Sequence, residues 1–283
     1  MRNSYVILIG LLTATLLGCG GAKRPDPAAA SKMHGSRASA AFTEGNLAGA
    51  LAEYKKAYVA AARADVPLQQ AQCLFNVGRV YYELGYLDSA EQAFGTAQHD
   101  FVFYHDDANG RMAAGFLALV YCQSGMYDQA YSWYEKGRPS VLKDRTETAF
   151  WLTVQALIAM LKTRTPEAKA YLDEAMKYYA REKKYNGMAQ TDYYRALIAY
   201  SEANYDDAAA YLTSSLASLD KVTQRYRRWR VLLASSTVAF CRNEEELGQR
   251  YYKRAQDCVP ARIELPSVDS IRPCPGKLWE GYR

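Results

Sequence analysis

The chain repeats a pattern of small and large positions about every 40 residues. The eighth, twentieth and twenty-seventh positions of each unit are always Gly, Ala or Ser, and the twenty-fourth is always a large apolar or aromatic residue. Because two antiparallel helices approach closely only where side chains are small, these positions predict six helix-turn-helix units that stack on one another. The units begin at residues 31, 71, 111, 149, 189 and 229.

The turn inside each unit has its own sequence signal. Gly85, Gly125 and Asn204 lie between the two predicted helices of their units, where a tight turn needs a residue that tolerates left-handed backbone angles. A single hairpin cannot bury its apolar face alone, so the units are expected to form one continuous solenoid.

This pattern resembles the tetratricopeptide repeat (TPR). The best unit runs from Asn76 through Gly78 and Tyr81 to Ala90, and the next best runs from Tyr121 to Ala130. The period near 40 exceeds the 34 residues of the family repeat. The resemblance covers residues 31–262 and implies an all-α fold, a right-handed superhelical solenoid of about six TPR-like repeats.

The N-terminus predicts export. Arg2 precedes an apolar stretch from Tyr5 to Leu17, which is shorter than the roughly 20 residues that a membrane-spanning helix needs. A stretch of this length is typical of the hydrophobic region of a secretory signal peptide. One interpretation is an ordinary secretory signal peptide, in which Cys19 at the end of the stretch has no special role. The alternative is a lipid anchor on that cysteine.

The end of that stretch, from Leu16 to Cys19, resembles the lipobox of bacterial lipoproteins. The resemblance implies that residues 1–18 are a lipoprotein signal peptide and that Cys19 carries the lipid. Gly20 stands where the family's inner-membrane retention signal has Asp, which implies the outer membrane, with the chain facing the periplasm. Residues 19–30 are small and Pro-containing, which predicts a flexible tether.

Composition and motifs favour a binding protein over an enzyme. Hydrophobic residues make up 49% and charged residues 23%, which excludes a disordered chain. The net charge of +5 is too small to indicate a nucleic-acid partner. The sequence has no GxSxG, HExxH or Gly-rich phosphate-binding motif, so neither catalysis nor a cofactor is predicted.

The cluster of His99, Asp100, His105, Asp106 and Asp107 combines metal-ligating residue types. It falls in the predicted connector between units two and three, and its spacing matches no known metal-binding loop. We interpret it as polar connector sequence, and no metal site is predicted.

The C-terminal residues 263–283 form a Pro-rich tail. Cys258 and Cys274 flank its first part, and a disulfide between them would fasten the tail to the last helix, although two free thiols are equally compatible with the sequence. Trp279 and Tyr282 are candidates to cap the open end of the solenoid or to form a partner motif.

The run from Arg225 to Arg230 is the strongest basic cluster. Anionic lipids, peptidoglycan or acidic partners are possible ligands. The favoured interpretation is a solvated first turn of unit six.

The inner face of a TPR-like superhelix is lined mainly by its first helices. Positions two, five, nine and twelve or thirteen share one helical face. An aromatic and polar groove of this kind suits an extended or helical peptide, but the same side chains are equally suited to packing between adjacent units. The candidate partner-binding residues are Gln72, Phe75, Arg79, Tyr82, Gln123, Gln190, Tyr193 and Tyr200.

These features together predict a lipid-anchored scaffold or adaptor that binds envelope proteins or peptides. The alternative is a protein that binds cell-wall glycan or a small ligand through the groove, since the chain has 24 tyrosines but only 8 phenylalanines. The repeat pattern accounts for part of this excess, because several tyrosines occupy packing and turn positions.

Overall fold

The computed structural model describes residues 26–140, 144–222, 227–260 and 263–271 of the 283-residue chain. Within these ranges all regular secondary structure is helical, which confirms the predicted all-α fold. The helices are α1 (Pro27–Glu44), α2 (Leu47–Arg63), α3 (Pro67–Leu84), α4 (Leu87–Phe103), α5 (Asp107–Gln123), α6 (Tyr127–Gly137), α7 (Arg145–Leu161), α8 (Thr165–Arg181), α9 (Tyr185–Ser201), α10 (Tyr205–Asp220), α11 (Arg228–Cys241), α12 (Glu245–Gln256) and α13 (Val268–Ile271).

Helices α1 to α12 pair into six consecutive hairpins, each packed on the next. The second helices begin at residues 47, 87, 127, 165, 205 and 245, which gives spacings of 40, 40, 38, 40 and 40. These are the spacings predicted from the pattern of small residues. The short spacing follows α6, which ends early at Gly137.

The predicted crossing points are confirmed, because all eighteen small positions are buried. A Cβ atom added at Gly78 would lie 2.8 Å from the ring of Phe94, and one added at Gly137 would lie 2.5 Å from the ring of Trp151. Each glycine therefore provides the space that an aromatic ring on a neighbouring helix fills.

The turn inside each hairpin uses a left-handed residue at the same place in every unit. In the first three units this residue is glycine, with φ between 74° and 87°. In unit five it is Ala203 (φ 57°), not the predicted Asn204. Asn204 is instead the N-cap of α10, and its side-chain oxygen accepts a hydrogen bond from the Asp207 N–H at 3.3 Å. An N-cap needs a polar side chain, which Asn204 provides. Asn204 therefore belongs to the turn as predicted, but it caps the helix and does not adopt the left-handed conformation.

The solenoid begins inside the segment that was predicted as tether. Helix α1 starts at Pro27, four residues before the first unit, and Asp26 caps it by accepting a hydrogen bond from the Ala28 N–H at 3.1 Å. A proline in the first turn removes no helical hydrogen bond, so it favours a helix start at this point. Residues 27–30, which were predicted to belong to the tether, are therefore helical.

The end of the solenoid is covered by the chain that follows α12. Ile263, Leu265, Val268 and Ile271 pack against an apolar cluster on α11 that includes Trp229. The Tyr252 hydroxyl, on α12, donates a hydrogen bond to the Pro266 carbonyl oxygen at 2.8 Å. These residues cover this end of the solenoid. Trp279 and Tyr282, the candidates for capping it or forming a partner motif, lie outside the described residues.

Of the two alternatives for Cys258, the structure has the free thiol, so the disulfide with Cys274 is not formed. Its half-buried side chain packs into the apolar cluster that closes the solenoid, where it serves as a small apolar group. Among the described cysteines, Cys241, at the C-terminal end of α11, is disulfide-bonded. Cys274 and Cys19 lie outside the described residues.

Candidate binding site on the inner face

Two residues that are 144 positions apart meet inside the superhelix. Glu83 lies in the last turn of α3 in unit two, and Arg227 occupies the N-cap position of α11 in unit six. Arg227 Nε and Nη2 both donate to Glu83 Oε1, at 3.0 and 2.5 Å. Because units two and six are not neighbours in the stack, this contact spans the interior. We call the surface that the first helices present to this interior the inner face.

A second arginine joins the contact from the next turn of α11. Arg230 Nη1 lies 3.6 Å from Glu83 Oε2, and Arg230 Nη2 donates a hydrogen bond to the Glu83 backbone oxygen at 3.1 Å. Residues three apart on a helix project from the same side, so both guanidinium groups reach the same carboxylate.

The Glu83 side chain is only 4% exposed. Burial raises its pKa, but the charges of Arg227 and Arg230 outweigh burial and hold the pKa below its ordinary value. The carboxylate is therefore ionised at neutral pH, as a buried ion pair requires.

A small cavity of ≈ 50 Å³ adjoins this ion pair, with room for about three water molecules. Gln190 links its walls, because its Oε1 accepts from Arg227 Nη1 at 3.1 Å and its Nε2 donates to the Tyr194 hydroxyl at 2.9 Å. Helices α3, α9, α10 and α11 line the cavity. The lining residues are Tyr82, Glu83, Ala189, Gln190, Tyr193, Tyr194, Ser215, Leu219, Arg227, Arg230 and Val231.

The tyrosines of the cavity are neutral at neutral pH. Burial raises the pKa of Tyr193 to about 12 and raises the pKa values of Tyr82 and Tyr194 as well. Their hydroxyl groups thus donate and accept hydrogen bonds without contributing charge. Among the described lining residues the ionised groups are the Glu83 carboxylate and the guanidiniums of Arg227 and Arg230.

Three of the eight predicted groove residues come together at this site: Tyr82, Gln190 and Tyr193. Two others belong to the packed core, as does Tyr82, which is 6% exposed. The Phe75 ring lies 5.5 Å from Phe94, and the buried Tyr200 ring lies 5.5 Å from Tyr205. For these two residues the alternative prediction, packing between helices, describes their environment.

The remaining three predicted residues do not line the cavity. Arg79 covers the ring of Phe42 on α1 at 4.9 Å and donates a hydrogen bond to Asn76. Gln72 and Gln123 are half-buried on α3 and α5.

Sequence reasoning missed the charged half of the site. The favoured interpretation of the basic run as a solvated turn is wrong for Arg227 and Arg230, which face inward. Their spacing of three was a usable signal, because it places both on one face of α11. Glu83 gave a weaker signal, as an acidic residue between apolar Tyr82 and Leu84 in the last turn of a first helix.

The His/Asp cluster between units two and three is engaged in local contacts. Asp106 caps α5 by accepting hydrogen bonds from the Asn109 backbone and side-chain nitrogens, and His99 contacts Asp100 at 3.1 Å. Across the described ranges no group of three His, Cys, Asp or Glu side chains is arranged to hold a metal ion. None of the described helices has the length and apolar character that crossing a membrane requires.

No protein-family profile matches the chain, and no curated protein matches it. Solved structures do match in fold. The Rap conjugation gene regulator of plasmid pLS20, in complex with the Phr* peptide, has a TM-score of 0.66 and 16% identity over 84% of this chain. The chain spans 64% of that protein.

Two further solved structures support the same fold. The apo form of RapI has a TM-score of 0.61 and 10% identity, and the match covers 91% of this chain and 92% of the RapI chain. The apo form of the quorum sensor NprR from B. thuringiensis has a TM-score of 0.55 and 15% identity, and the match covers 82% of this chain and 77% of the NprR chain. At these identities the likeness concerns the fold, and the chain is a TPR-like helical-repeat solenoid.

Proposed function

We propose that this chain is a scaffold or adaptor that holds a protein or peptide partner on its inner face. The observation that carries the proposal is the site at which Tyr82, Gln190, Tyr193 and two arginines converge from three first helices. Convergent polar groups in a concave surface are typical of a binding site. The likeness to a regulator solved in complex with a peptide supports a peptide or protein as the ligand.

The proposal includes a lipid anchor at the bacterial envelope. It rests on the lipobox-like sequence that ends at Cys19, which lies outside the described residues. A diacylated cysteine anchors a protein stably, since two acyl chains together bind a membrane far more strongly than one. The folded solenoid begins only a few residues later, at Pro27, so the anchor would keep the inner face close to the membrane surface.

The glycan alternative is less favoured by the site. A groove that binds sugars needs open aromatic faces, but Tyr82 and Tyr200 are 6% and 4% exposed. The cavity of ≈ 50 Å³ is also much smaller than a ligand pocket of several hundred Å³.

Crosslinking in detergent-solubilised membranes, followed by purification of the tagged full chain, tests the scaffold proposal. We expect one stoichiometric partner with the native chain. Tyr193→Arg should abolish its capture, because the new side chain adds bulk and charge inside the site. Tyr131→Arg is the matched control, since Tyr131 is 45% exposed on the outer helix α6. Equal capture by both variants would remove the inner face from the proposal.

Cys19→Ala should move the protein from the membrane fraction to the soluble fraction, because it removes the only attachment point that the lipobox-like sequence offers. Fractionation with antibody detection measures the change. Cys122→Ala is the control, since this thiol is buried in the core of unit three. Membrane retention of the Cys19 variant would contradict the lipid anchor and leave the binding proposal standing.

A further inference from the structure

We infer that one edge of the solenoid rests on a lipid bilayer and inserts exposed apolar side chains among the headgroups. This is the connector edge, at which each unit is joined to the next. The contact rests on the lipid anchor of the proposed function and specifies which surface of the folded chain meets the membrane.

The described chain enters the solenoid at the connector edge. Successive helices are joined by short turns and run antiparallel, so every first helix begins at this edge and every second helix ends there. Helix α1 begins at Pro27, and α2 and α4 end at Arg63 and Phe103. The start of α1 therefore lies on the same edge as the connectors that follow α2 and α4.

Exposed large apolar side chains are concentrated on this edge, in units one and two. In the part of the chain that the structure describes there are nine such residues, and six of them lie within about two helical turns of the connector edge. The other three, Tyr86, Met126 and Tyr131, lie near the opposite edge, where the hairpins turn. Single exposed apolar residues are ordinary, but a group on one edge indicates an interaction surface. We call the six the apolar edge cluster: Met33, Val59, Leu68, Val102, Phe103 and Tyr104.

Hydrogen bonds hold the helices of unit one and the start of unit two side by side at the level of the cluster. Ser31 Oγ, on α1, donates to the Ala57 carbonyl oxygen on α2 and accepts from Gln69 Nε2 on α3, both at 2.8 Å. Each of these three residues lies within two positions of a cluster member. The cluster members on α1, α2 and α3 are therefore neighbours on one edge.

The aromatic pair at the end of α4 is the most prominent part of the cluster. The Phe103 side chain is 65% exposed, and its ring packs edge-on against that of Tyr104 with centroids 4.9 Å apart. An apolar ring beside a tyrosine, whose hydroxyl stays hydrated, suits the boundary between headgroups and acyl chains.

The chain between the cluster and the proposed lipid is short. Cys19 and Asp26, the N-cap of α1, are seven positions apart, and seven extended residues span at most about 25 Å. A lipid on Cys19 would keep the connector edge within that distance of the bilayer. Such a tether raises the effective concentration of the cluster at the membrane, so even a weak apolar contact would form.

The charges beside the cluster favour apolar insertion over electrostatic attraction. Its connectors carry Arg63 and Asp65 in one case and Asp106 and Asp107 in the other, so basic residues are not in excess there. Apolar side chains enter the headgroup layer through the area that they bury and need no such excess. We therefore expect contact with neutral lipids that is insensitive to salt.

Photo-crosslinking in vesicles tests this contact. The full chain, expressed in bacteria and purified in detergent, is reconstituted into phosphatidylcholine vesicles that contain a photoreactive acyl chain, and labelled peptides are identified by mass spectrometry. We expect label on peptides that contain Val102, Phe103 and Tyr104. Peptides that contain Tyr86 or Met126, which are 40% and 47% exposed on the opposite edge, are the internal control and should carry little. The pattern should persist in about 1 M salt, where charges interact over only about 3 Å.

Substitution of the aromatic pair supplies the second arm. The double variant with Phe103→Asp and Tyr104→Asp should lower labelling of the connector edge by about fivefold or more, because burying one such ring changes a partition coefficient by about tenfold. Tyr131→Asp is the matched control and should leave the labelling unchanged, since Tyr131 is exposed near the other edge. Circular dichroism confirms that each variant is folded.

Four results would overturn the membrane contact. Labelling of vesicle-bound chain that does not favour the connector edge would remove the contact and leave the lipid anchor standing. Labelling that requires phosphatidylglycerol and disappears in high salt would replace apolar insertion by attraction between charges. A dimer that the double variant abolishes, without lipid labelling, would assign the cluster to a second copy of the chain. Failure of the native chain to stay with the vesicles would overturn the anchor and this contact together.

Discussion

Phe94→Ala should lower the free energy of unfolding by about 3–5 kcal/mol, the range observed when a buried phenylalanine is truncated in a packed core. Phe94 is 0% exposed on α4 and fills the space above Gly78 on α3. Its ring stacks on Phe116 at 5.1 Å and lies 5.5 Å from Phe75. Truncation therefore removes contacts with α3 and α5 together and leaves a cavity between two units.

Urea denaturation followed by circular dichroism measures the change. Phe103→Ala is the matched control, because this residue lies on the same helix but is 65% exposed. We expect it to change stability by less than about 0.5 kcal/mol. Equal effects of the two substitutions would mean that the twenty-fourth position of the repeat does not hold adjacent units together.

The pattern of small residues was enough to predict the helices and their spacing. Ala90 and Ser236 are fully buried where two helices approach most closely. Only a small side chain fits there, so the residue type itself indicates the crossing point. The turns were harder to predict, because several residue types tolerate positive φ when the helices on both sides hold them. The tight turn of unit five uses Ala203 for this reason, and the asparagine beside it serves as a cap.

The candidate site was predictable only in part. Helical periodicity predicted Tyr82, Gln190 and Tyr193 on one face because it fixes the direction of each side chain, and all three line the cavity. Periodicity does not determine how deeply a side chain is buried. Phe75 lies on the same predicted face but belongs to the buried core. The meeting of Glu83 and Arg227 depends on the curvature of the solenoid, which is the sum of small rotations between units. That sum is not encoded in any single repeat, so a contact between units two and six could not be predicted from the sequence.

The ion pair between Glu83 and Arg227 should make the second large contribution to stability. Arg227→Met is expected to lower the free energy of unfolding by about 2–3 kcal/mol, because it removes the guanidinium that donates two hydrogen bonds to a buried carboxylate and leaves the more distant Arg230 beside it. The double variant with Glu83→Leu should recover most of that loss, since an apolar pair of similar volume needs no desolvation of charge. A double-mutant cycle in urea measures the coupling, and additive effects would show that the two residues stabilise the fold independently.

The same pair predicts a pH dependence with a definite sign. Because the folded-state pKa of Glu83 lies below its ordinary value, the folded state binds fewer protons at this site than the unfolded chain. Its stabilising contribution is therefore complete above the ordinary glutamate pKa and is lost as the pH falls through that value towards the lower folded-state pKa. Melting temperatures of the native chain and of Glu83→Gln should differ most at neutral pH and converge in acid, because protonation makes the native side chain neutral as well. A constant difference across this range would mean that the charge of Glu83 does not hold units two and six together, and that its packing alone accounts for the effect of the substitution.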